Sequence, residues 1–361
     1  MPKLEVFGGI APKINPRLLP PGKAQAAVNV RMTSGKIEPF KAPLDAVTPI
    51  KVNPLSIFKV VASGVDKWLT WNRDVDVVPS PVIGETLGRL YFSGDAEPRV
   101  TTTALATSGP DMPTSCYVLG VPRPVTAPTV TPTGGSGTQE TRAYVYTFVD
   151  PWGQEGQPSA GTSATGYANA TSWNLSGMDT TPNSGGTVTA VSSSGGVTTF
   201  TMPAGDTKFL RVGEEVTFAG IHSTINGKQI LTAVTSTTVT ATTMSTYTSA
   251  VTGTWSRVAP FVAGSWKQRI YRSDTAGNLR FVAEQAIGAT YSDTISNANL
   301  STSVLESTDY AMPPPGLTGF VITPSGTIAG MLGNDIYLSE PNKPWAWPSA
   351  YIRPIPYTPV G

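Results

Sequence analysis

The chain of 361 residues has a single cysteine, Cys116, and a single histidine, His222. One cysteine cannot form an intrachain disulfide, which excludes a disulfide-stapled secreted fold. Cys116 lies in the apolar run SCYVL, and we expect it to be a small buried hydrophobic side chain. One histidine removes His-based metal clusters and makes a serine triad depend on a residue in a Thr/Gly-rich turn. We therefore predict a turn or surface role for His222.

Charge is also scarce. Charged residues make up 14% of the chain and the net charge is +1, so nothing supports DNA as a tightly bound ligand. No stretch of 18 apolar residues occurs, which predicts that no segment spans a membrane. The first seven residues contain no apolar core of a signal peptide. We therefore expect synthesis in the cytoplasm and export only as part of an assembly made there.

Motifs of catalytic chemistry are missing. The sequence has no P-loop, no HExxH and no GxSxG motif, and the GGSG at 134–137 reads as a flexible loop without a strand-to-helix frame. Asp74 and Asp76 share one face of a strand, a spacing that suits acid/base work or a calcium ligand pair. A solvated strand face explains them better. We predict no enzyme, no catalytic residue, no metal site and no cofactor.

Glycine (36) and proline (33) are abundant, and with many aliphatic and aromatic residues they are typical of many short strands separated by turns. The predicted fold class is all-β and multi-domain. We expect an N-terminal β-rich docking domain over 1–124 and a split sandwich of the fibronectin type III kind over 125–182 plus 257–308. A Thr-rich β-domain over 183–256 is inserted into this sandwich. A propeller-like sheet, either whole or incomplete, covers 309–361.

The N-terminal region starts with an arm in which five prolines among the first 21 residues forbid a continuous helix. Residues 22–28 are predicted to form one helical turn, and 29–40 a hairpin around Ser34-Gly35. Trp68 and Trp71 belong to a strand pair, where we expect them to pack in a core or an interface.

Two segments far apart in the chain predict one sandwich. Residues 142–149 carry Tyr144, Tyr146 and Phe148 on one face with an apolar opposite face, which is typical of a central strand. Residues 268–284 read as two further strands. Proline-rich linkers at 121–128 and 311–316 frame them.

Between them, 183–256 predicts five or six short strands forming a small barrel or sandwich. Nine threonines within 231–250 indicate strands with a polar outer face. A sugar-binding or O-glycosylated surface is the less favoured interpretation of the same composition.

Several short segments follow one another along the chain: FGGIAP (7–12), LLP (18–20), Ala24, AVN (27–29), SGKIEP (34–39), WNRDVD (71–76), RLYFSGD (89–95), YVLGVP (117–122), YVYTFVD (144–150), QPS (157–159), IYRS (270–273), FVAE (281–284), SEP (339–341) and WP (347–348). Their order resembles the tail nozzle, or tail tubular protein B, group of virion proteins of short-tailed bacteriophages. The resemblance covers most of 1–180 and 260–350 but not 183–256.

The resemblance implies a virion protein of the tail or neck that forms a homo-oligomeric ring of six copies. Its partners would be the head-to-tail adaptor and distal tail or fibre proteins, with DNA passing through without specific binding. The expected interface residues are Phe7, Ile10, Leu18, Leu19, Trp68, Trp71, Trp345 and Trp347.

The chain departs from that family in one respect. A propeller closes with several blades, whereas the sequence offers about one, so we expect a shortened relative or part of a longer gene product. Two other functions stay open at this stage. One is a carbohydrate-binding or adhesin-type β-module on a tail or cell surface. The other is a glycan-degrading tail enzyme that would use Asp74 and Asp76.

Overall fold

The computed structural model describes residues 7–28, 30–31, 38–39, 51–242, 248–249, 252–259 and 262–356. Strands are the main regular structure of these ranges, which confirms the all-β prediction. The chain divides into two compact units, Met1–Thr48 and Pro49–Gly361.

The first unit has little regular structure. A 3-10 helix covers Pro16–Leu18, and the strands β1 (Val30–Arg31) and β2 (Glu38–Pro39) pair antiparallel, as the hairpin prediction requires. The tip of that hairpin, Ser34-Gly35, lies outside the described residues. The helical turn predicted for 22–28 is wrong, because Gly22 adopts a φ of 84° and Ala24 forms a parallel bridge to Ile10.

The second unit contains the remaining elements. Its first part has β3 (Ser56–Ala62), β4 (Val65–Trp71), β5 (Asp76–Pro79), β6 (Arg89–Gly94), β7 (Ala96–Thr102), the helix α1 (Thr103–Ala106) and β8 (Tyr117–Val118). Next come β9 (Thr129–Thr133), β10 (Gln139–Val149), β11 (Thr162–Tyr167) and β12 (Ser172–Ser176). The following strands are β13 (Gly185–Val188), β14 (Ala190–Ser194), β15 (Val197–Thr201), β16 (Glu215–Ala219), β17 (Gly227–Val234), β18 (Thr238–Thr242), β19 (Thr248–Ser249) and β20 (Gly253–Ser256). The last are β21 (Lys267–Ser273), β22 (Leu279–Ala286), β23 (Tyr291–Asp293), β24 (Thr318–Ile322), β25 (Ile328–Leu332), β26 (Asp335–Leu338) and β27 (Arg353–Pro354), with 3-10 helices at Asn297–Asn299, Ser307–Asp309 and Ser349–Tyr351.

Two four-stranded meanders share one core although about 200 residues separate them. One has the order β5-β6-β7-β8 and the other β24-β25-β26-β27, and every neighbouring pair is antiparallel. The N–H of Gly319 donates to Asp76 Oδ2 (3.1 Å), and the N–H of Phe320 donates to Ser93 Oγ (3.3 Å). Phe320 also stacks on Trp347 at 5.6 Å between ring centroids. Backbone N–H groups of the second meander therefore bind side chains of the first, and apolar side chains of both meanders lie in one hydrophobic core.

The sandwich consists of a four-stranded sheet, β11-β10-β21-β22, and a three-stranded sheet, β23-β12-β9. The segment 142–149 lies in β10, between β11 and β21, so the prediction of a central strand is confirmed. Tyr144, Tyr146 and Phe148 point into a core that also contains Trp173 of the other sheet. Strands from both sides of the Thr-rich segment thus build this core.

The Thr-rich segment forms one nearly closed, barrel-like sheet of order β13-β20-β16-β17-β18-β15-β14-β19. β13 pairs with β20 at one end of the strand order, and β14 pairs with β19 at the other. Because β13 directly precedes β14 in the chain and β19 directly precedes β20, the two ends of the sheet come together. Phe200 and Phe218 stack in its interior at 3.7 Å. Of the two predicted alternatives, the barrel is the one that forms.

Candidate functional site

A cluster of buried charges lies where the tight turn between β6 and β7 meets the start of β16. Gly94 makes this approach possible, because its φ is 93° and a Cβ there would lie 2.0 Å from the Asp74 carbonyl oxygen. Asp95, Glu97 and Arg99 follow Gly94 and face the barrel. The turn therefore places three charged side chains at the junction.

Hydrogen bonds join this turn to β16. Arg99 donates to Asp95 Oδ2 (2.6 Å) and, at 3.4 Å, to Glu97 Oε1. The backbone N–H of Glu215 donates to Glu97 Oε2 (3.2 Å), and Arg73 donates to Glu215 Oε2 (2.6 Å). The cluster consequently fastens the barrel to the first meander through charged groups.

Burial and pairing compete in setting the protonation of these carboxyls. Burial raises the pKa of Glu97, and the nearby Arg99 only partly offsets this. Burial also acts on Glu215, but hydrogen bonds from Lys228 and Arg73 outweigh it and lower the pKa of that carboxyl. Glu215 is thus an anionic anchor between two cations, while Glu97 is less readily ionised.

A second anchor holds the base of the barrel. Arg257, just after β20, donates to Glu214 Oε1 at 2.8 Å, and both side chains are almost completely buried. The same guanidinium donates to the carbonyl oxygens of Asn183 (3.1 Å) and Phe209 (3.0 Å). The entry and exit segments of the barrel are therefore tied to each other at one point.

The charged groups of these two anchors hold neighbouring segments together through ion pairs and hydrogen bonds. Within the described ranges, no group of three His, Cys, Asp or Glu residues is arranged to hold a metal ion. Asp76 accepts the N–H of Gly319, so this carboxylate, considered above for catalysis, serves as a tie between the two meanders. Burial raises the pKa of the Cys116 thiol, which disfavours the nucleophilic thiolate.

The predicted interface residues lie in different environments. In the first unit Leu18 and Ile10 are 76% and 41% exposed, and Phe7 and Leu19 are partly buried. In the second unit Trp71 and Trp347 pack inside hydrophobic cores. Trp345 is partly buried and donates to the Glu155 carbonyl oxygen at 3.2 Å. Trp68 is partly buried on the hairpin of β3 and β4.

The hairpin of β3 and β4 presents an apolar outer surface, of which the sequence analysis predicted only Trp68 as an interface residue. Ile57 and Val61 are 54% and 59% exposed, and Lys59 lies between them opposite Trp68. Lys59 pairs with Asp66 on the same side at 2.6 Å. We call Ile57, Lys59, Val61, Asp66 and Trp68 the hairpin face. Both sides of β3 are apolar, so alternation alone could not tell which side turns outward.

His222 is exposed beside a turn, where Nδ1 lies 2.8 Å from the Thr224 hydroxyl, as expected for this histidine. None of the helices in the described ranges is long and apolar enough to cross a membrane. Comparison with protein-family models gives no match, and no curated protein matches the chain.

Proposed function

We propose that the chain is a structural protein of the tail or neck of a short-tailed phage virion. Copies of it would assemble into a ring that joins the head-to-tail adaptor to the distal tail or fibres and encloses the DNA exit path. The order of the short motifs is the reason for proposing this family. The ring of six copies is what the resemblance to that family implies.

The observation that carries the proposal is the pair of four-stranded meanders with a common core. Propellers are built from four-stranded antiparallel blades packed face to face. β5–β8 and β24–β27 have this strand order and pack through β24 against β5 and β6. They support the propeller-like part that the resemblance implies. Within the proposal, the sandwich is a fibronectin III-like spacer and the barrel is a decoration on it.

The hairpin face supplies a surface for contact between neighbouring copies. β3 pairs only with β4 within the described part of the chain, so its other edge offers unpaired backbone groups. Exposed Ile57 and Val61 flank the Lys59–Asp66 ion pair, an apolar surface with a polar element that suits a repeated interface. The low net charge fits a channel through which DNA passes without specific binding.

Electron cryomicroscopy of virions from the phage that encodes the chain, with mass photometry of the purified protein, tests the proposal. We expect density for a ring between adaptor and distal tail, and oligomers of the purified protein at micromolar concentration. Absence of the chain from purified virions would refute the proposal.

The double variant Ile57→Asp, Val61→Asp tests the hairpin face. Both side chains are exposed, so the fold should persist while assembly is lost. Ile83→Asp is the matched control, because Ile83 is 92% exposed and lies outside the hairpin face. Equal assembly of the double variant and the wild type would exclude this surface as the contact.

A further inference from the structure

A cavity of about 170 Å³ lies where the first meander, the two proline-rich linkers and the barrel meet. Val118 comes from β8, Met312 from the second linker, and Phe209 and Leu210 from the segment that precedes β16. These side chains give the cavity mainly apolar walls. Its size suits a ligand of a few carbon atoms and one polar group.

The charged residues around the cavity are not balanced. Arg123, Lys208, Arg211 and Arg257 line it, whereas Glu214 is the carboxylate among the lining residues. Glu214 already forms an ion pair with Arg257, and Lys208 forms one with Asp179, which does not line the cavity. Neither Arg123 nor Arg211 forms an ion pair with a carboxylate among the described residues, although Glu214 and Glu97 act on Arg211 electrostatically from farther away.

Of the two arginines, Arg211 is the one with an unsatisfied hydrogen-bond donor. Nη1 donates to the Pro313 carbonyl oxygen at 2.9 Å, while Nη2 is buried and lacks any hydrogen-bond partner. The Arg211 side chain as a whole is partly exposed, but its Nη2 atom is buried. Burial lowers the pKa of this guanidinium, and Glu214 only partly counters the effect. A buried donor without an acceptor is costly, and a shift of the guanidinium that brings Nη2 to an anion in the cavity would remove that cost.

Arg123 adds a second positive charge at the mouth. Its Nε donates to the Pro158 carbonyl oxygen at 2.8 Å, and the side chain is exposed. An anion entering the cavity would therefore meet one guanidinium at the rim and another inside. The planar fork of a guanidinium matches the two oxygens of a carboxylate particularly well.

We propose that this cavity binds a small organic carboxylate, with the carboxylate beside the guanidinium group of Arg211 and the aliphatic part against Phe209 and Met312. Such a ligand would touch the barrel and the second linker together. Binding should therefore also stiffen the junction between them. The inference does not depend on the virion role, since it rests on the cavity alone.

Isothermal titration calorimetry of the full chain with acetate, butanoate, hexanoate and inorganic phosphate tests the proposal. We expect affinity to rise from acetate to butanoate, because each added methylene buries apolar surface. We expect phosphate to bind more weakly, because it has no apolar part. Lack of binding by all four anions, or phosphate binding as tightly as the best carboxylate, would overturn the proposal.

Two variants locate the site. Arg211→Gln should weaken butanoate binding about 10- to 100-fold, since it removes a charged hydrogen bond. Arg123→Gln changes an exposed side chain and so keeps the test valid should Arg211→Gln fail to fold; we expect a loss of about threefold. Arg353→Gln is the control, because Arg353 is exposed and does not line the cavity. Unchanged affinity in Arg123→Gln, and in Arg211→Gln if it folds, would refute the assignment.

Discussion

Arg272 Nη1 donates a 2.5 Å hydrogen bond to Asp293 Oδ2, and neither side chain has any exposed surface. Arg272 lies in β21 of the four-stranded sheet and Asp293 in β23 of the three-stranded sheet. Tyr144 of β10, which precedes the barrel in sequence, donates its hydroxyl to the same carboxylate oxygen at 2.7 Å. One carboxylate thus joins the two sheets of the sandwich and the two halves of its sequence.

Arg272→Met should lower the free energy of unfolding by about 3 kcal/mol, because it removes the closer guanidinium partner of the buried Asp293 carboxylate and leaves only Arg142, at 3.8 Å. Tyr144→Phe should cost only about 1 kcal/mol, since Asp293 keeps its guanidinium partner. Urea unfolding monitored by fluorescence checks both values. A loss below about 1 kcal/mol in Arg272→Met would contradict the central role of the pair.

Asp150 predicts a dependence of stability on pH. Its Oδ1 accepts the N–H groups of Trp152 (2.9 Å) and Gln154 (2.8 Å), and burial raises the pKa of this carboxyl to about 7. Between about pH 4 and about pH 7 the Asp150 carboxyl is therefore protonated in the folded chain and ionised in the unfolded chain. The free energy of unfolding should consequently fall as the pH rises through this range. The contribution has a slope of up to about 1.4 kcal/mol per pH unit.

Asp150→Asn isolates that contribution, because an amide keeps an acceptor oxygen for the two N–H groups and does not titrate. Thermal unfolding of both proteins at several pH values between 4 and 8 gives the difference. We expect the variant to lose less stability than the wild type as the pH rises. Parallel curves would show that Asp150 does not titrate in this range.

Gly94→Ala should destabilise the protein by about 2 to 4 kcal/mol. The new Cβ would collide with the Asp74 carbonyl oxygen, and the backbone at φ 93° is strained for alanine. Gly64→Ala is the matched control, because Gly64 has a φ of 77° and no atom within 4 Å of the added carbon. It should cost about 1 kcal/mol from backbone strain alone, and equal melting temperatures of the two variants would contradict the argument.

The two anchors of the barrel should differ in strength. Arg257→Met leaves Glu214 buried without its cation, and we expect a loss of about 3 to 5 kcal/mol. Arg73→Ala removes a guanidinium that is 40% exposed, so solvent screening limits its effect to about 1 kcal/mol or less. Limited proteolysis with mass spectrometry should show earlier cleavage around the barrel in Arg257→Met than in Arg73→Ala. The reverse order would exclude Glu214–Arg257 as the stronger anchor.

Local patterns carried the sequence predictions that the structure confirms. The alternation of Tyr144, Tyr146 and Phe148 specifies a strand with a buried face. The helical turn over 22–28 failed because helix propensity could not outweigh the positive φ of Gly22 after two prolines.

Long-range relationships could not be deduced in the same way. The contact of β24 with β5 and β6 uses backbone N–H groups of Gly319 and Phe320, which every non-proline residue possesses. Arg89, Arg99 and Arg123 are too far apart in the sequence for their spacing to predict an anion site. Arg89 and Arg99 pair with nearby carboxylates, and only the folding of the linkers brings Arg123 to the cavity together with Arg211.

The paired entry and exit strands of the barrel have a consequence for how the chain tolerates change. Gly185 pairs with Ser256, so the Thr-rich segment leaves and rejoins the sandwich through adjacent strands, and its length adds little to the entropy of closing that loop. Changes in the length or the outer surface of the barrel should therefore disturb the sandwich little, as long as Glu214 and Glu215, the two residues that anchor the barrel, are kept.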